Sequence, residues 1–487
     1  MSTHRAADGL RVGRLAGCLA IALGVGTSAA LAGDPQRAID AMSGDLNAHI
    51  GKGIAGSTRH PAAFAQPHRA QPTPHREPVV HEVLSCDDLS LRQAITSAMD
   101  GDTVTMPMGC SLISLDSGEI PILVDNLTLT GPGADAFTID GGQTSGFYNR
   151  VFHHYGTGTL TISGMTISGA TTNNSLDPNG GCIDSDGTVK LYETMVRNCY
   201  MQADTGLNAQ GGAIYAKLGV ELHASTVSAN TANAVQGSTA GGGIFSNGYF
   251  LADASTISDN FAEGSGFGGG VYAVNGDVEI KSSTLSGNNA AVAGGLLVRY
   301  VIGGPTAIAY LEDSTVSGNK ATATVGGASF QVPATILNST IVSNTAFDTA
   351  SGAGVYATTT LSATSSIFAN NLASTGGPSI DVYALIGTID GTNNIIVSTP
   401  SATPADTITA CPRLAPLSDN GGPTLTHEPM PGSPALDAGS DPLSLPFDQR
   451  GNGYARTFGT TIDIGAVEWQ GAPQDRLFTS RFEITCD

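Results

Sequence analysis

The chain has 487 residues, of which 40% are hydrophobic and 13% are charged, and its formal net charge is −21. This hydrophobic content excludes a disordered polyelectrolyte, and the negative charge excludes nucleic acids and anionic membranes as electrostatic partners. After residue 32, no stretch approaches the roughly 18 apolar residues of a membrane helix, so we expect no transmembrane segment in the mature chain.

The first 32 residues have the pattern of a secretory signal peptide. Three arginines precede the apolar run LAGCLAIALGVG, and Ala30 and Ala32 are the small residues of a cleavage site. The pattern predicts an extracellular or cell-surface protein. Residues 33–85 are rich in Pro, Gly and His without a regular period, which predicts an extended linker.

Six cysteines remain once Cys18 leaves with the signal peptide. An even number in an exported chain favours disulfides over a metal site, and no CxxC pair is present to suggest zinc. Neighbours in sequence are the first candidates for pairing, and the rest of the connectivity stays open. The candidates are Cys86 with Cys110, Cys182 with Cys199, and Cys411 and Cys486.

One short amphipathic helix is predicted before a long series of repeats. Leu91, Ile95 and Ala98 form a helical stripe behind a possible N-cap at Asp88 or Ser90. The helical period then disappears and two phrases alternate at intervals of 25 to 32 residues. The first is ETMVRN from residue 193, STVSAN (225), STISDN (255), STLSGN (283), STVSGN (314), STIVSN (339) and SSIFAN (365); the second is of the type GGAIYA, from Gly211 onward.

These repeats predict a parallel β-solenoid. Fixed-phase β-branched triplets separated by glycine are typical of solenoids, and the apolar runs are too short for ordinary helices. A unit of about 28 residues with about three strands makes one turn, which rises roughly 4.8 Å. The helix at 88–99 is expected to cap the N-terminal end of the stack, since an open end invites edge-to-edge association.

Stacked turns place equivalent residues in columns. The residue after each ST or SS pair is predicted to form an apolar column inside the solenoid: Val227, Ile257, Leu285, Val316, Ile341 and Ile367. The asparagine that ends each phrase is predicted to take a left-handed turn conformation and to hydrogen-bond its counterparts above and below. This ladder comprises Asn198, Asn230, Asn260, Asn288, Asn319, Asn344 and Asn370.

Three segments resemble known families. CDDLSLRQAITSAMDGDTV (86–104) resembles the CSLREAI-type motif of exported bacterial β-helix proteins, although Cys86 stands apart from the rest of the motif. The GGAI phrase at 211–214 and FANN at 368–371 resemble repeats of polymorphic outer-membrane proteins. Most turns of this chain have Ser at the position where that family has Phe. Residues 420–442 and 448–469 are similar to the choice-of-anchor Q domain.

The resemblances imply a right-handed parallel β-helix of the pectin-lyase-like, all-β class with a short N-terminal capping helix. Together with the composition of the first 85 residues, they divide the chain into a signal peptide (1–32), linker (33–85), β-helix with its N-terminal cap (86–410), choice-of-anchor-Q-like module (411–470) and tail (471–487). They imply export to the bacterial surface or outer membrane and bring no defined reaction. We therefore expect a binding or adhesive protein that contacts a glycan or a surface protein along a lateral face.

The alternative is a polysaccharide lyase or glycoside hydrolase on the same fold. The strongest catalytic candidates occupy one position in consecutive turns: His223, Asp253, Lys281 and Glu312. They can equally form an outer ladder of alternating charge, which cross-strand pairing favours. A lyase for acidic sugars also needs placed cations, whereas basic residues between 100 and 410 are few and scattered.

Two weaker groups carry ionisable side chains. Arg150, His153, His154 and Tyr155 crowd one predicted strand, where alternation should place the two histidines on opposite faces. Asp184 and Asp186 follow Cys182, but glycosidase chemistry needs two carboxyls across a cleft, and the sequence shows no cleft.

A column of aromatic residues follows the glycines, with Val298 interrupting it: Tyr215, Phe245, Tyr272, Phe330 and Tyr356. If they point inward, they form a core stack; if outward, they offer a strip that can stack on sugars or a protein partner. No cofactor is expected, with calcium as an alternative near the turn-forming aspartates Asp437, Asp441, Asp448 and Asp463.

Overall fold

The computed structural model describes residues 76–142, 149–173, 177–347, 352–374, 379–386 and 388–471, together with Ile484 and Cys486. The predicted signal peptide and most of the predicted linker lie outside these residues. In the described part of the chain, no helix combines the length and apolar character needed to cross a bilayer.

The fold is a parallel β-helix of about ten turns, as predicted. Each turn visits three long sheets in the same order, and a shorter fourth sheet, which the sequence did not predict, follows the second sheet in most turns. All strand pairs between turns are parallel.

Sheet 1 has twelve strands: Val80–Glu82, Asp102–Thr105, Leu127–Thr130, Thr159–Ser163, Thr188–Tyr192, Gly219–His223, Tyr249–Asp253, Val278–Lys281, Ala309–Glu312, Ala334–Leu337, Leu361–Thr364 and Ile389–Thr392. Sheet 2 has eleven: Leu112–Ser114, Thr138–Asp140, Thr166–Ser168, Met195–Arg197, Thr226–Ser228, Thr256–Ser258, Thr284–Ser286, Thr315–Ser317, Thr340–Val342, Ile367–Ala369 and Ile395–Ile396.

Sheet 3 has ten strands: Ile120–Ile122, Phe152–His154, Ile183–Ser185, Ile214–Ala216, Ile244–Asn247, Val271–Val274, Leu296–Arg299, Ala328–Phe330, Val355–Ala357 and Val382–Ala384. Sheet 4 has eight: Thr171–Asn173, Tyr200–Ala203, Thr231–Ala234, Phe261–Ala262, Asn289–Val292, Lys320–Thr324, Thr345–Ala346 and Leu372–Ala373. A two-stranded sheet joins Ala209–Gln210 to Thr239–Ala240.

Helix α1 (Asp88–Ser97) caps the N-terminal end of the stack, as predicted. Its buried Leu91 and Ile95 join the core inside the solenoid, and Asp87 is the N-cap, accepting a hydrogen bond from the Ser90 backbone N–H at 2.8 Å. The N-cap therefore lies one residue before the predicted Asp88. The first strand begins at Val80, so ordered sheet structure starts inside the segment predicted as linker.

The apolar column on the inner face of sheet 2 follows the repeats with one correction. Val227, Ile257, Leu285, Val316 and Ile341 stack in register, but Ile341 pairs with Phe368 and not with Ile367. The phrase SSIFAN is thus shifted by one residue relative to its neighbours, and a shift of one residue turns a side chain to the opposite face. Ile367 packs outside the solenoid, against the C-terminal segment.

The asparagine ladder runs through the buried core of the turns. Each side-chain amide donates to the Oδ1 atom of the next asparagine at 2.9 Å, from Asn230 through Asn260, Asn288, Asn319 and Asn344 to Asn371, which donates to Asp381. The left-handed conformation belongs to the residue before each asparagine, such as Ala229 with φ 56°.

Two predicted members of the ladder lie outside it. Asn198 and Asn370 occupy the left-handed position themselves, with φ of 55° and 54°. Cys199 takes the ladder position in the first case, where its backbone N–H donates to Asn230 Oδ1 at 2.9 Å. Asn371 takes it in the second case.

The C-terminal segment packs along the outside of sheet 2 over its later turns. Gln449 accepts from Thr315 Oγ1 at 2.6 Å and donates to Thr284 Oγ1 at 2.8 Å, and Ala466 N–H donates to Thr340 Oγ1 at 3.0 Å. Three disulfides join Cys86 to Cys110, Cys182 to Cys199 and Cys411 to Cys486. Such disulfides are typical of proteins that mature outside the reducing cytosol.

Candidate functional site

The outer face of sheet 3 carries one continuous column of side chains. The residues between the core-facing positions pair from turn to turn, beginning with Pro121, His153, Asp184 and Tyr215. Their neighbours Ile214 and Ala216 belong to the core, so period-two alternation turns this column outward. The column continues through Phe245, Tyr272, Leu297, Ser329, Tyr356 and Tyr383.

This column answers the open question about the aromatic residues. Tyr215, Phe245 and Tyr272 stack outside the core with ring centroids 5.3 and 5.1 Å apart. Phe245 and Tyr272 are nevertheless only 2% exposed, so they cannot serve as an open binding strip. Tyr356 is half-buried and lies 5.7 Å from the ring of Tyr383.

Phe330 does not belong to the outer column. It pairs with Val298 and Ala357, and it is fully buried in the core of the solenoid. Ser329 occupies the outer position in that turn, and Leu297 occupies it in the turn before. The prediction was wrong there because both phrases have their aromatic residue in the fifth place, but the strand begins one residue earlier in GGASFQ. Its third residue, Ala328, takes the core-facing position that the fourth residue, Ile214, takes in GGAIYA.

At the N-terminal end of the column, the aromatic side chains give way to ionisable ones. Three carboxyl groups converge on a single atom, Arg150 Nη1, with distances of 3.1 Å from Asp184, 3.3 Å from Asp177 and 3.6 Å from Glu119. His153 lies among them, with Nδ1 at 3.0 Å from the same Arg150 atom. We call these five residues the Arg150 cluster.

The side chains of the Arg150 cluster differ in their exposure to solvent. The Arg150 side chain is 1% exposed and that of Asp184 6%, whereas those of His153, Glu119 and Asp177 are 13%, 28% and 36% exposed. The guanidinium is anchored by donation from Nη2 to the Asp177 carbonyl at 2.8 Å. A ligand approaching from solvent therefore meets Asp177 and Glu119 first, with the cation beneath them.

The pKa values of two carboxyls in the cluster, Asp184 and Glu119, are shifted in opposite directions. Burial raises the pKa of Asp184 to about 9, because the loss of solvation outweighs the attraction of Arg150. Burial also opposes ionisation of Glu119, but its hydrogen bond from His153 and the charge of Arg150 outweigh this effect and lower its pKa. With one guanidinium among three carboxyls, the cluster has an excess of negative charge whenever all three are ionised.

An exposed aromatic ring borders the cluster. Tyr155 stacks on His153 with ring centroids 3.8 Å apart and an interplanar angle of 20°, and it remains 46% exposed. As alternation predicts, His154 points to the opposite face. It is fully buried, bonding Ser185 Oγ at 2.7 Å and the Val124 carbonyl at 3.1 Å, so its contacts are structural.

The four charged residues predicted as catalytic candidates do align on the outer face of sheet 1. His223 pairs with Asp253, Asp253 with Lys281 and Lys281 with Glu312 in successive turns. Lys281 bonds Glu279 at 2.7 Å, and this contact raises the pKa of the lysine, which makes it a poor base. The Asp253 side chain is 50% exposed, so the column is an open ladder of charges without an enclosed centre.

The aspartates named above as candidate calcium ligands stabilise turns in the C-terminal segment. Asp437 accepts from the Thr460 and Thr461 backbone N–H groups at 2.9 and 3.1 Å. Asp463 accepts from the N–H of Asp437 at 2.7 Å, Asp448 pairs with Arg450, and Asp441 accepts from Leu443 and Leu445. Their carboxylates are thus engaged by the local backbone and by one arginine.

A serine–histidine contact also arises where the C-terminal segment meets sheet 2. Ser317 Oγ lies 2.8 Å from His427 Nε2, and His427 Nδ1 donates to the Ala415 carbonyl at 2.7 Å. Both side chains border a groove of about 400 Å³, but they are only 2% and 3% exposed. Burial lowers the pKa of His427 to about 4, so it is a weak base and the contact fits an interface role.

Comparisons with known proteins add a fold likeness and no family. No family model matches the chain, and no curated protein matches it either. Among solved structures, the chain is similar to the crystal structure of pectate lyase Pel9A, with 13% identity and a TM-score of 0.41 over 80% of this chain and 96% of the other. The resemblances to the CSLREAI motif, the outer-membrane repeats and the choice-of-anchor Q domain therefore stay predictions.

Proposed function

We propose that this protein is an exported, cell-surface binding protein that recognises a glycan on the outer face of sheet 3, beside Tyr155. The observation that carries the proposal is an exposed aromatic ring held face-on against His153, next to the partly exposed carboxyls of Glu119 and Asp177. Binding sites typically combine an apolar or aromatic surface with a few polar groups that fix orientation.

The chemistry of this patch fits a sugar ring. The free face of Tyr155 can cover the apolar C–H face of a sugar, while carboxylates accept hydrogen bonds from its hydroxyl groups. The excess negative charge around Arg150 disfavours an acidic polysaccharide such as a polyuronate. The expected ligand class is therefore a neutral or amino-sugar glycan.

A glycan array probed with the purified mature chain, followed by calorimetry on any hit, tests the proposal. Tyr155→Ala should weaken binding about tenfold, since an aromatic contact contributes about 1.4 kcal/mol or slightly less. Tyr192→Ala is the matched control, because Tyr192 is 38% exposed and stacks on His223 in the same way on sheet 1. The absence of any glycan signal, or equal losses in both variants, would reject the proposal.

The second candidate function is glycoside hydrolysis at the same place. It is favoured by the convergence of the Glu119, Asp177 and Asp184 carboxyls within 3.6 Å of one Arg150 atom, since such enzymes use two nearby carboxyls. Release of new reducing ends from a neutral polysaccharide, abolished in Glu119→Gln, would establish it. Activity lost instead in Asp253→Asn or Lys281→Ala would place the chemistry on sheet 1.

A further inference from the structure

We infer that His153, Asp177 and Asp184 bind a divalent transition-metal ion of the zinc class. One potential ligand atom from each residue lies within 4.8 Å of the other two. His153 Nε2 is 3.6 Å from Asp184 Oδ2 and 4.0 Å from Asp177 Oδ2. Zinc–ligand distances of about 2.1 Å in tetrahedral geometry require ligand atoms about 3.4 Å apart. The two distances from His153 Nε2 exceed this value by about 0.2 and 0.6 Å.

The scaffold places these ligands before any metal arrives. His153 and Asp184 are directly paired residues of adjacent strands in sheet 3, on the same outward column. Asp177 lies before the second of these strands, where Arg150 Nη2 holds its carbonyl at 2.8 Å. Binding would therefore require little ordering of the backbone, and the entropic cost of assembling the site is small.

His153 has a carboxylate neighbour of the kind that orients metal-bound imidazoles. Glu119 Oε1 lies 3.4 Å from His153 Nδ1, on the opposite edge of the ring from Nε2. Arg150 Nη1, which can only donate, lies 3.0 Å from the same Nδ1. With Nε2 on the metal, Nδ1 carries the proton, so the guanidinium must turn away from this nitrogen for Nδ1 to donate to Glu119, and that bond then fixes the tautomer and the ring orientation. Tyr155 stacks on the same ring and restricts its rotation further.

The charge balance also favours a dication. Three carboxyls surround one guanidinium, so the cluster has more acidic groups than cationic ones, and a divalent ion would supply positive charge beside them. The donor set of one imidazole and two carboxylates suits zinc or manganese, whereas calcium takes six to eight oxygen ligands. Three protein ligands leave a coordination position for water or for a sugar hydroxyl.

Calorimetric titration of Zn²⁺ into the chelator-treated full chain tests the inference. His153→Gln and Asp177→Asn should each weaken this site at least tenfold, and Glu119→Gln should weaken it about 10- to 100-fold as an orienting residue. His223→Gln is the matched control, since His223 also lies beside an aspartate, Asp253, at 3.9 Å. Histidines elsewhere are present in every variant, so their contribution cancels in the comparison.

Co²⁺ substitution provides a readout of the ligands themselves. The visible absorption of bound Co²⁺ should change in His153→Gln and stay unchanged in His223→Gln, with circular dichroism checking that each variant is folded. Unchanged Zn²⁺ affinity in both His153→Gln and Asp177→Asn, or preferential binding of Ca²⁺, would overturn the inference. Retention of Zn²⁺ binding by Tyr155→Ala would separate this site from the proposed glycan contact.

Discussion

The adjacent asparagines Asn370 and Asn371 should respond very differently to substitution by alanine. Asn371 is fully buried as a member of the ladder, whereas Asn370 lies at the half-buried turn position before it. The phrase SSIFAN points to Asn370 as the ladder residue, so the pair tests the structure against the sequence pattern.

The magnitude follows from the contacts of each side chain. Asn371 Nδ2 donates to the Ile341 and Ala369 carbonyls at 3.0 and 3.1 Å and to Asp381 Oδ1 at 2.9 Å. Its Oδ1 accepts from both the backbone and side-chain N–H groups of Asn344, at 3.1 and 2.9 Å. At about 1 kcal/mol for each buried hydrogen bond, and at least four of them formed together, Asn371→Ala should cost ~4 kcal/mol.

The corresponding loss for Asn370→Ala should be about 1 kcal/mol. Its side chain has a single hydrogen bond, to Ser343 Oγ at 3.3 Å, and Ala229 already occupies the equivalent left-handed position with φ 56°. Guanidinium unfolding followed by circular dichroism measures both values, and unchanged m-values check that the two variants unfold over the same surface. Equal losses, or a larger loss in Asn370→Ala, would refute the register of the ladder.

Three further predictions concern the C-terminal segment. Asp313 faces Arg456 of the C-terminal segment at 3.7 Å, and burial raises the pKa of its carboxyl to about 8. The folded state therefore retains a proton that the unfolded chain has released, and stability falls as pH rises from about 4 to about 8. At 1.36 kcal/mol per pKa unit, Asp313→Asn should gain about 6 kcal/mol over wild type across that window in unfolding titrations, and a pH-independent difference would contradict this assignment. Cys486→Ser opens the disulfide to Cys411, 75 residues away, which should cost ~4 kcal/mol and make residues 411–471 the first site of limited proteolysis. Gln449→Ala removes buried hydrogen bonds to sheet 2 and should lower the free energy of unfolding by ~3 kcal/mol, whereas a neutral result would show that the segment is held by other contacts.

The fold could be predicted from the repeats because a few residue types recur at nearly constant spacing, and this spacing places equivalent residues on top of one another in successive turns. Strands such as Thr226–Ser228 and Thr256–Ser258 pair residue for residue with the same letters of the phrase. Each turn buries its edges against a turn of similar sequence. The same stacking therefore requires both the repeated phrase and the hydrogen-bonded column of side chains. The capping helix was predictable for the same reason, since the first turn has no copy before it.

A second ladder in the same phrase was missed. The serine that begins each ST phrase, and Ser366 in SSIFAN, is buried. Its hydroxyl accepts from the backbone N–H of the residue at the same place in the previous turn, as Ser283 does from Ser255 at 3.0 Å. The column continues from Ser225 to Ser366 and ends on Asn394. Serine is common on solvated surfaces and in turns, so its type alone did not distinguish a buried ladder from an exposed one.

The errors by one residue share a physical cause. Sequence alignment treats a phrase as a rigid unit, whereas a turn can gain or lose a residue in the bend between two sheets without disturbing either sheet. The shift at Ile367 and Phe368 exchanges inside for outside over one strand. The outward Ile367 then packs in one buried cluster with Ile464 of the C-terminal segment. The apolar residue on the outer face is therefore explained only by a segment about 100 residues later in the chain.

The Arg150 cluster could be anticipated only in part. His153 and Asp184 were noticed as separate groups, and the strand register joins them by placing them opposite each other in adjacent turns. Glu119 and Asp177 lie in segments outside the strands, where no periodicity fixes their phase. The repeat pattern therefore does not predict that both carboxyls lie close to the Arg150 guanidinium.

The position of the cluster also explains why a functional face is expected at the N-terminal end of sheet 3. Farther along the same outer column, Phe245 and Tyr272 are stacked and covered, so this part of the face contributes stability. The later turns of sheet 2 are covered by the C-terminal segment. Ionisable side chains that are partly buried, mutually close and open to solvent on one side are costly to maintain for stability alone. Among the described residues, neither of these coverings reaches exposed Tyr155, and the concentration of ionisable groups beside it supports the proposed binding site.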